Sequence, residues 1–526
     1  MNVIQSSGVS ALVLLLLTTT TPFAADLSTK SSPPDTKVYQ RPATPGDQGV
    51  NRGNQGRVTV GHAPQIEVID VILNNTSPVL GTGPSSETSI AINPRNHKEI
   101  ALTAFEFNLA WGTDSATLFH SLDGGQTWTE PRIINRPPNG LGIDGCPCDQ
   151  TIDFSRSGLL TGAFLSTEAI YTSSTADAEA GPFNWFESPI GTAQPTNTTH
   201  PSPDQPWMLV NAAPLDPGTQ VAGLDEAGWA KRKRGENVYV AYDDFSTFPP
   251  TMRVAVAAEG ASPDFTTDTS DGVSSGFVNP GHRLAKDEKT GTVYSLFQQA
   301  TGLGPDSSVN INYRLNRSTD GGKTWTLNGS AGGIVVANAD STQPQPKFCT
   351  VNALLGGVDH GTVASDGSVY YVYGSRDPAT ANNRLAIRHL TDDGSGGFSI
   401  GAEYFITGQV QAAVPQVAVG EDGTVGVFYY TCDDDGVASS SFPQYSAHFA
   451  LSDDEGVTWS DIVLQTFLSP AKDDGDPRQR VLADYMQTKT LLKGETFYGS
   501  FSGNAAALGA PVSRIDPMFF RVTASK

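Results

Sequence analysis

The chain is poor in charge. Of its 526 residues only 17% are Asp, Glu, Lys or Arg, and 33 basic residues face 55 acidic ones, a net charge of −22. A surface so short of cations repels phosphate backbones and anionic headgroups, which argues against nucleic acid and membrane surfaces as partners. Cysteine is scarce as well, with four in all, too few for a small disulfide scaffold. Long apolar runs are missing. The stretch Val9–Leu17 has nine residues, too short for the ~30 Å of a bilayer core, so no membrane insertion is expected. Helical periodicity of any length is absent too, which excludes a bundle. What the chain does have is 54 Gly and 35 Pro in a background that is 38% apolar. That is too apolar for disorder and too rich in turn formers for helices.

The turns repeat. Ser121–Trp128 reads SLDGGQTW, Ser318–Trp325 reads STDGGKTW and Ser452–Trp459 reads SDDEGVTW. Each is Ser-x-Asp-x-Gly-x-Thr-Trp, and the chemistry suits a hairpin turn. The Asp accepts from turn N–H groups, the Gly permits φ > 0, and the Trp begins a returning strand with its indole laid on the sheet. The three starts lie 197 and 134 residues apart, close to three and two units of one common length. At that length, residues 64–526 hold about seven units.

Seven hairpin-like segments support the count. They open at Glu87, Asp149, Asp204, Gly281, Asp359, Val414 and Asp484, and each pairs two β-rich runs around a turn such as DGS, DGT or KTG. Two runs plus the Ser-x-Asp hairpin make four strands per unit. The expected fold is therefore all-β, a seven-bladed β-propeller with four-stranded antiparallel blades, six blades being the alternative. Gln65–Leu73 precedes the first unit and is expected to supply the outer strand of the last blade. Residues 1–25 read as a secretory signal cleaved near Ala24 or Ala25, and 26–63 as a loose leader. The expected location is outside the cytoplasm, extracellular or periplasmic.

The three boxes are similar to the Asp boxes (BNR repeats) of the sialidase, or neuraminidase, superfamily, and the resemblance spans roughly 64–526. It implies that Asp123, Asp320 and Asp454 are structural and lie on the face away from the active site. It implies work on glycans more firmly than any one reaction. Sialidases proper have six blades and an early Arg-Ile-Pro that begins an arginine triad; this chain has no such tripeptide. Exo-type glycoside hydrolysis leads. The alternatives are a polysaccharide lyase acting on a uronate and a non-catalytic, lectin-like propeller.

In a propeller, the residues opening each inner strand ring one mouth of the central channel. Here they are Glu87, Asp149, Asp204, His282, Arg283, Asp359, His360, Gln416, Asp484 and Tyr485, joined from second-strand ends by Glu106, Asp243, Asp244, Arg376 and Asn504. Glycosidic cleavage needs a proton donor and a base or nucleophile, so Asp149, Asp204, Asp359 and His360 are the acid/base candidates. Tyr485 is the nucleophile candidate by the resemblance. Glu87, His282, Arg283, Arg376 and Asp484 are expected to bind substrate. Crowded carboxylates should have raised pKa values, and His360 beside Asp359 should favour its cation. So many Asp at one mouth call for a neutral sugar, the arginines, or a hard cation such as Ca²⁺ as offset. Cys349 and Cys432 are expected to pair, leaving Cys146 and Cys148 to bridge each other or stay as thiols. A Cys-x-Cys metal site is the competing reading. The basic run Lys231–Arg234 reads as a solvated loop, and the protein as a monomer.

Overall fold

The computed structural model describes residues 64–72, 85–106, 117–129, 132–137, 147–166, 169–191, 202–214, 235–260, 263–275, 281–304, 309–340, 359–379, 383–406, 411–432, 442–469, 482, 486–490, 496–504 and 515–524. Among these there is no helix, and so none able to cross a membrane. Signal, leader, the Lys231–Arg234 run, Cys146, Cys349, Asp484 and Tyr485 lie outside the described residues.

Twenty-eight strands form seven four-stranded antiparallel sheets. Blade 1 is β2 (Ser85–Ile92), β3 (Ile100–Glu106), β4 (Thr117–Ser121) and β5 (Arg132–Ile133). Blade 2 is β6 (Cys148–Phe154) to β9 (Asn184–Trp185), and blade 3 is β10 (Pro203–Ala212), β11 (Glu236–Asp244), β12 (Thr251–Ala258) and β13 (Phe265–Thr269). Blade 4 comprises β14 (Arg283–Asp287), β15 (Thr292–Leu303), β16 (Val309–Ser318) and β17 (Ile334–Asp340). Blade 5 comprises β18 (Asp359–Val363), β19 (Val369–Arg376), β20 (Asn383–Asp392) and β21 (Phe398–Phe405). In blade 6 the strands are β22 (Ala412–Val419), β23 (Val425–Cys432), β24 (Gln444–Ser452) and β25 (Ser460–Leu468). Blade 7 is composite. β26 (Gln487–Thr490), β27 (Thr496–Gly503) and β28 (Asp516–Thr523) come from the end of the chain, and β1 (Gln65–Asp70) completes the sheet in the order β26-β27-β28-β1. Each inner strand touches the next, from β2 round to β26 and back to β2, so the ring is closed. The fold is a seven-bladed β-propeller, with the early strand at the outer edge of the last blade.

The repeated box shows why these segments turn where they do. The Thr127 N–H donates to Asp123 Oδ1 at 2.9 Å and its hydroxyl to Oδ2 at 2.6 Å, while Gly125 N–H donates to Ser121 Oγ at 2.9 Å. Thr324 with Asp320, and Thr458 with Asp454, repeat the two contacts within 0.1 Å. One carboxylate thus satisfies a turn that would otherwise leave donors unpaired. Gly125 sits at φ +88, and a Cβ there would meet the Phe519 ring at 2.4 Å, so conformation and space both require glycine. The indoles depart from expectation in one respect. Each reaches toward the preceding blade: Trp128 packs edge-on to Phe519 of blade 7, the Trp325 N–H donates to Thr269 Oγ1 of blade 3, and Trp459 clusters with Ile387 of blade 5. The box is an inter-blade wedge as well as a turn.

Inner strands are also stitched to one another. Ile152 N–H donates to Ser89 Oγ at 3.0 Å, Met208 N–H to Thr151 Oγ1 at 3.1 Å, Val417 N–H to His360 Nδ1 at 3.2 Å and Ile90 N–H to Gln487 Oε1 at 3.1 Å. In each pair the side chain of one blade satisfies the backbone of the next. That fixes neighbouring blades to one another around the axis.

Candidate active site at the mouth of the ring

Four inner strands open on the same irregularity. Glu87, Asp149, Gln205 and Val414 all have positive φ, between 42° and 56°. Each lies in a β-bulge where two inner-strand residues oppose one on the second strand. Non-glycine residues in this region carry strain of order 1 kcal/mol or more, and bulges re-aim side chains at strand ends. The bulge also corrects the alignment of the hairpins. Asp149 corresponds to Gln205, not to Asp204, because Cys148 and Asp204 hold the same place before the bulge.

The titratable groups gather on one side of the mouth, where blades 3, 4 and 5 meet. Arg283 opens β14 and is only 1% exposed. Its guanidinium lies 4.6 Å from the Trp207 ring of β10, and Nη1 donates to the His282 carbonyl at 2.9 Å. Asp359, on β18, is also 1% exposed; it accepts from the Tyr371 hydroxyl at 2.8 Å and from Gln298 Nε2 at 3.1 Å. His360, the next residue, sets its ring edge-on to Trp207 at 5.6 Å. Asp204 and Asp243 face each other across the β10–β11 ladder, Asp204 half-buried and Asp243 fully buried.

Burial and Arg283 decide the charges. Asp243 is pushed well above the usual carboxylate range, by burial first and by Asp204 second. Arg283 and the Gly281 and His282 amides only partly oppose this. Burial raises Asp359 to about 7, against the pull of Arg283 and of its two hydrogen bonds. The two histidines move the other way. Burial, then Arg283, drive His282 and His360 down to about 3. The expectation of a cationic His360 is therefore wrong. Its ring is desolvated and has two cations, Arg283 and Lys489, among its neighbours. Tyr371 is held far above its ordinary value by burial and Asp359, so its phenol stays protonated. Arg283 also supplies the offset that the crowded acids required.

Of the predicted residues, Arg283 acts on both Asp359 and His360, and Asp204 joins them through Asp243, which Arg283 also reaches. His282 is fully buried, packs edge-on to Phe297 and contacts Ser295 Oγ at 3.2 Å, which makes it part of the wall. Glu87 and Asp149 occupy the bulges of blades 1 and 2, both buried. Arg376 is half-buried at the end of β19, opposite Asn383. Sequence reasoning missed Trp207, Gln298 and Tyr371 as members of the cluster. Trp207 in DQPWMLV was the one visible hint, a large aromatic just after an acid at a mouth position.

At the other end of the inner strands the axis is plugged. Asp153, near the end of β6, meets Lys286 Nζ of blade 4 at 3.1 Å and Lys489 Nζ of blade 7 at 2.8 Å. Burial alone would raise Asp153, but the two ammoniums overcome it and hold the carboxyl at about 2. Lys286 also pairs with Glu288 at 3.1 Å. The mouth cluster lies toward the other end of the inner strands, and Lys489 of this closure still acts on His360 as a like charge.

Cys148 and Cys432 are both disulfide-bonded, so Cys148 is not a thiol. Among the described residues no group of three or more His, Cys, Asp or Glu is arranged to hold a metal ion.

No family model matches the chain, and no curated protein matches it. Solved structures that match the chain include a protein of unknown function from Dyadobacter fermentans, with TM-score 0.39 and 10% identity over 87% of this chain and 99% of that one. An α-L-arabinofuranosidase from Fusarium graminearum matches with TM-score 0.34 and 13% identity, over 63% of this chain and 96% of that one. The six-bladed, fucose-recognising Aleuria aurantia lectin matches with TM-score 0.36 and 9% identity, over 68% and 87%. At such values, the chemistry of the site rests on its own residues.

Proposed function

We propose that this chain is an exported propeller acting on glycans by exo-type glycoside hydrolysis at the blade 3–5 side of the mouth. One observation carries the reading. Asp359 is a buried carboxyl held at about 7, with a fixed guanidinium beside it and a second, more exposed carboxyl, Asp204, at the same mouth. Two carboxyls in unlike environments are what glycosidic cleavage requires. Asp359 gives its proton to the glycosidic oxygen as the carbon–oxygen bond breaks. Its new negative charge is then stabilised by Arg283, Tyr371 and Gln298. Asp204 serves the anomeric carbon, as base toward water or as nucleophile. Water adds across the bond, leaving a sugar hemiacetal and an alcohol. The resemblance of the three boxes to Asp boxes supports the same substrate class.

Export is supported by the two oxidised cysteines, since disulfides persist in oxidising compartments. Cys349 is the proposed partner of Cys432. Peptide mapping without reduction should recover that pair, and a Cys148–Cys349 peptide instead would refute it.

The deciding experiment incubates the full chain with aryl glycosides and neutral and uronate polysaccharides, measuring new reducing ends and unsaturated products. Hydrolysis should fall at least about a hundredfold in Asp359→Asn and Asp204→Asn. Unsaturated products would replace the hydrolase with a lyase. Saturable sugar binding without turnover would make the protein a lectin.

A further inference from the structure

His360 has a fixed tautomer. Its Nδ1 accepts the Val417 N–H at 3.2 Å, so a proton cannot sit there. A neutral imidazole then carries its one proton on Nε2. Nε2 has no hydrogen-bond partner among the described residues. The ring is otherwise enclosed, 6% exposed, with Trp207 edge-on at 5.6 Å.

The groups facing it explain why it stays neutral. Arg283 from β14 and Lys489 from β26 act on it as like charges, Trp207 of β10 covers one side, and Val417 of β22 occupies Nδ1. A second proton would displace the Val417 amide and place a third cation among two others. Gln487 of blade 7 is built on the same plan. Its Oε1 accepts from Ile90 N–H and from the Ser89 hydroxyl, both at 3.1 Å, and its amide nitrogen has no partner among the described residues.

We infer that His360 is a substrate-binding residue whose Nε2–H donates to an acceptor oxygen of the bound sugar, and that it takes no part in proton transfer. The inference rests on the glycan reading above and reassigns one residue within it. An imidazole locked by a backbone amide is a poor acid and a poor base but a well-oriented donor. It would select a hydroxyl or carboxylate oxygen at one point, beside the buried Trp207 ring.

The test is nitrogen NMR of the full chain with ¹⁵N-labelled histidine. In the free protein His360 should show an unprotonated Nδ1 and a protonated Nε2, unchanged between pH 5 and pH 8. Titration within that range, or a proton on Nδ1, overturns the inference whatever the protein binds. D-galactose, L-arabinose, L-fucose and D-glucuronate are then added separately at millimolar concentration. At least one should shift His360 Nε2 together with the Trp207 indole. His360→Asn, which keeps an acceptor for Val417 but whose amide donor stops short of the Nε2 position, should weaken that sugar about tenfold. A sugar that moves Trp207 but not Nε2, with unchanged affinity in the variant, sinks the inference and spares the glycan reading. If no mouth resonance responds to any sugar, the glycan reading fails and the inference falls with it.

Discussion

The Tyr371 hydroxyl donates to Asp359 Oδ2 at 2.8 Å, from two strand positions across the β18–β19 pair, and this bond ties the chemistry of the mouth to the core of blade 5. Tyr371 is fully buried and belongs to the largest apolar cluster of the ring. Its hydroxyl favours the charged form of Asp359, as does Gln298. Removing either donor should therefore raise the Asp359 pKa further above 7.

A pH–rate profile checks this. If Asp359 is the proton donor, activity falls as pH rises through its pKa. Tyr371→Phe and Gln298→Leu should each move that falling limb upward by about one pH unit, the equivalent of one charge-assisted hydrogen bond. Lower rates with an unmoved limb would mean that a different group supplies the proton.

The plug at the far end of the axis makes a second prediction. Asp153 joins blades 2, 4 and 7 through Lys286 and Lys489, whose side chains are each 26% exposed. Asp153→Asn leaves both ammoniums in a crowded site without their shared anion. Removing one member of a buried ion pair costs about 3–5 kcal/mol, and the partial exposure of the lysines places this case near the lower figure. Urea denaturation should show the loss. Asp153→Asn with Lys489→Met, which leaves Lys286 to Glu288, should recover part of it. A single substitution with an unchanged midpoint would show that the plug holds nothing together.

Turn chemistry, blade count and ring closure were legible in the sequence because each rests on local rules. Ser121, Asp123, Gly125 and Thr127 form a self-contained hydrogen-bonded unit, so three copies announce themselves. Gln65–Asp70 alternates, with Ile66, Val68 and Asp70 buried, and no other strand stood before the first hairpin to claim it. The mouth was only half legible. Topology shows which residues open the inner strands, and Arg283 lies within electrostatic reach of Asp359 and His360. Protonation states were misjudged at His360 because a sequence shows its neighbour Asp359 but not the Arg283 and Lys489 charges arriving from other blades. Tyr371 and Gln298 looked like strand filler, since nothing in VYYVYG or SLFQQA shows which residues will reach a carboxylate. The one-residue offset between Asp149 and Asp204 came from bulges, which leave the count of alternating residues ambiguous.

The two suppressed histidines make stability depend on pH in a defined direction. Their pKa falls from an ordinary 6.5 to about 3 on folding, so between these values the unfolded chain binds more protons. Their contribution is complete above pH 6.5, on the order of a few kcal/mol, and is lost as the pH falls toward 3. Asp359, raised to about 7, has the opposite sign: its contribution is complete below the ordinary carboxylate range and is lost as pH rises through 7. The Tm difference between wild type and His360→Asn isolates one histidine. It should be largest at pH 7 and shrink steadily by pH 4. A constant difference over that range would show that His360 titrates normally in the fold.

Ring closure depends on a pairing of sequence-distant segments that offers a last test. β1 pairs antiparallel with β28 along its whole length, Gln65 opposite Thr523 and Asp70 opposite Met518, and Glu67 forms an ion pair with Arg521. Ile66 and Val68 lie in the core that also holds Phe520 and Val522. Without β1, β28 becomes an outer edge with a row of unpaired backbone groups beside exposed aromatic surface, a template for self-association. A chain starting at Val71 should therefore lose several kcal/mol in urea denaturation and aggregate on concentration. A synthetic peptide covering residues 64–72 should restore much of the stability when added in excess, because the groove beside β28 is otherwise complete. Replacing Val68 with Asp in that peptide should abolish the rescue, since the side chain would enter the core opposite Phe520. Wild-type stability in the truncated chain would mean that the ring is held shut by the inner strands alone, with the outer strand of blade 7 as mere cover.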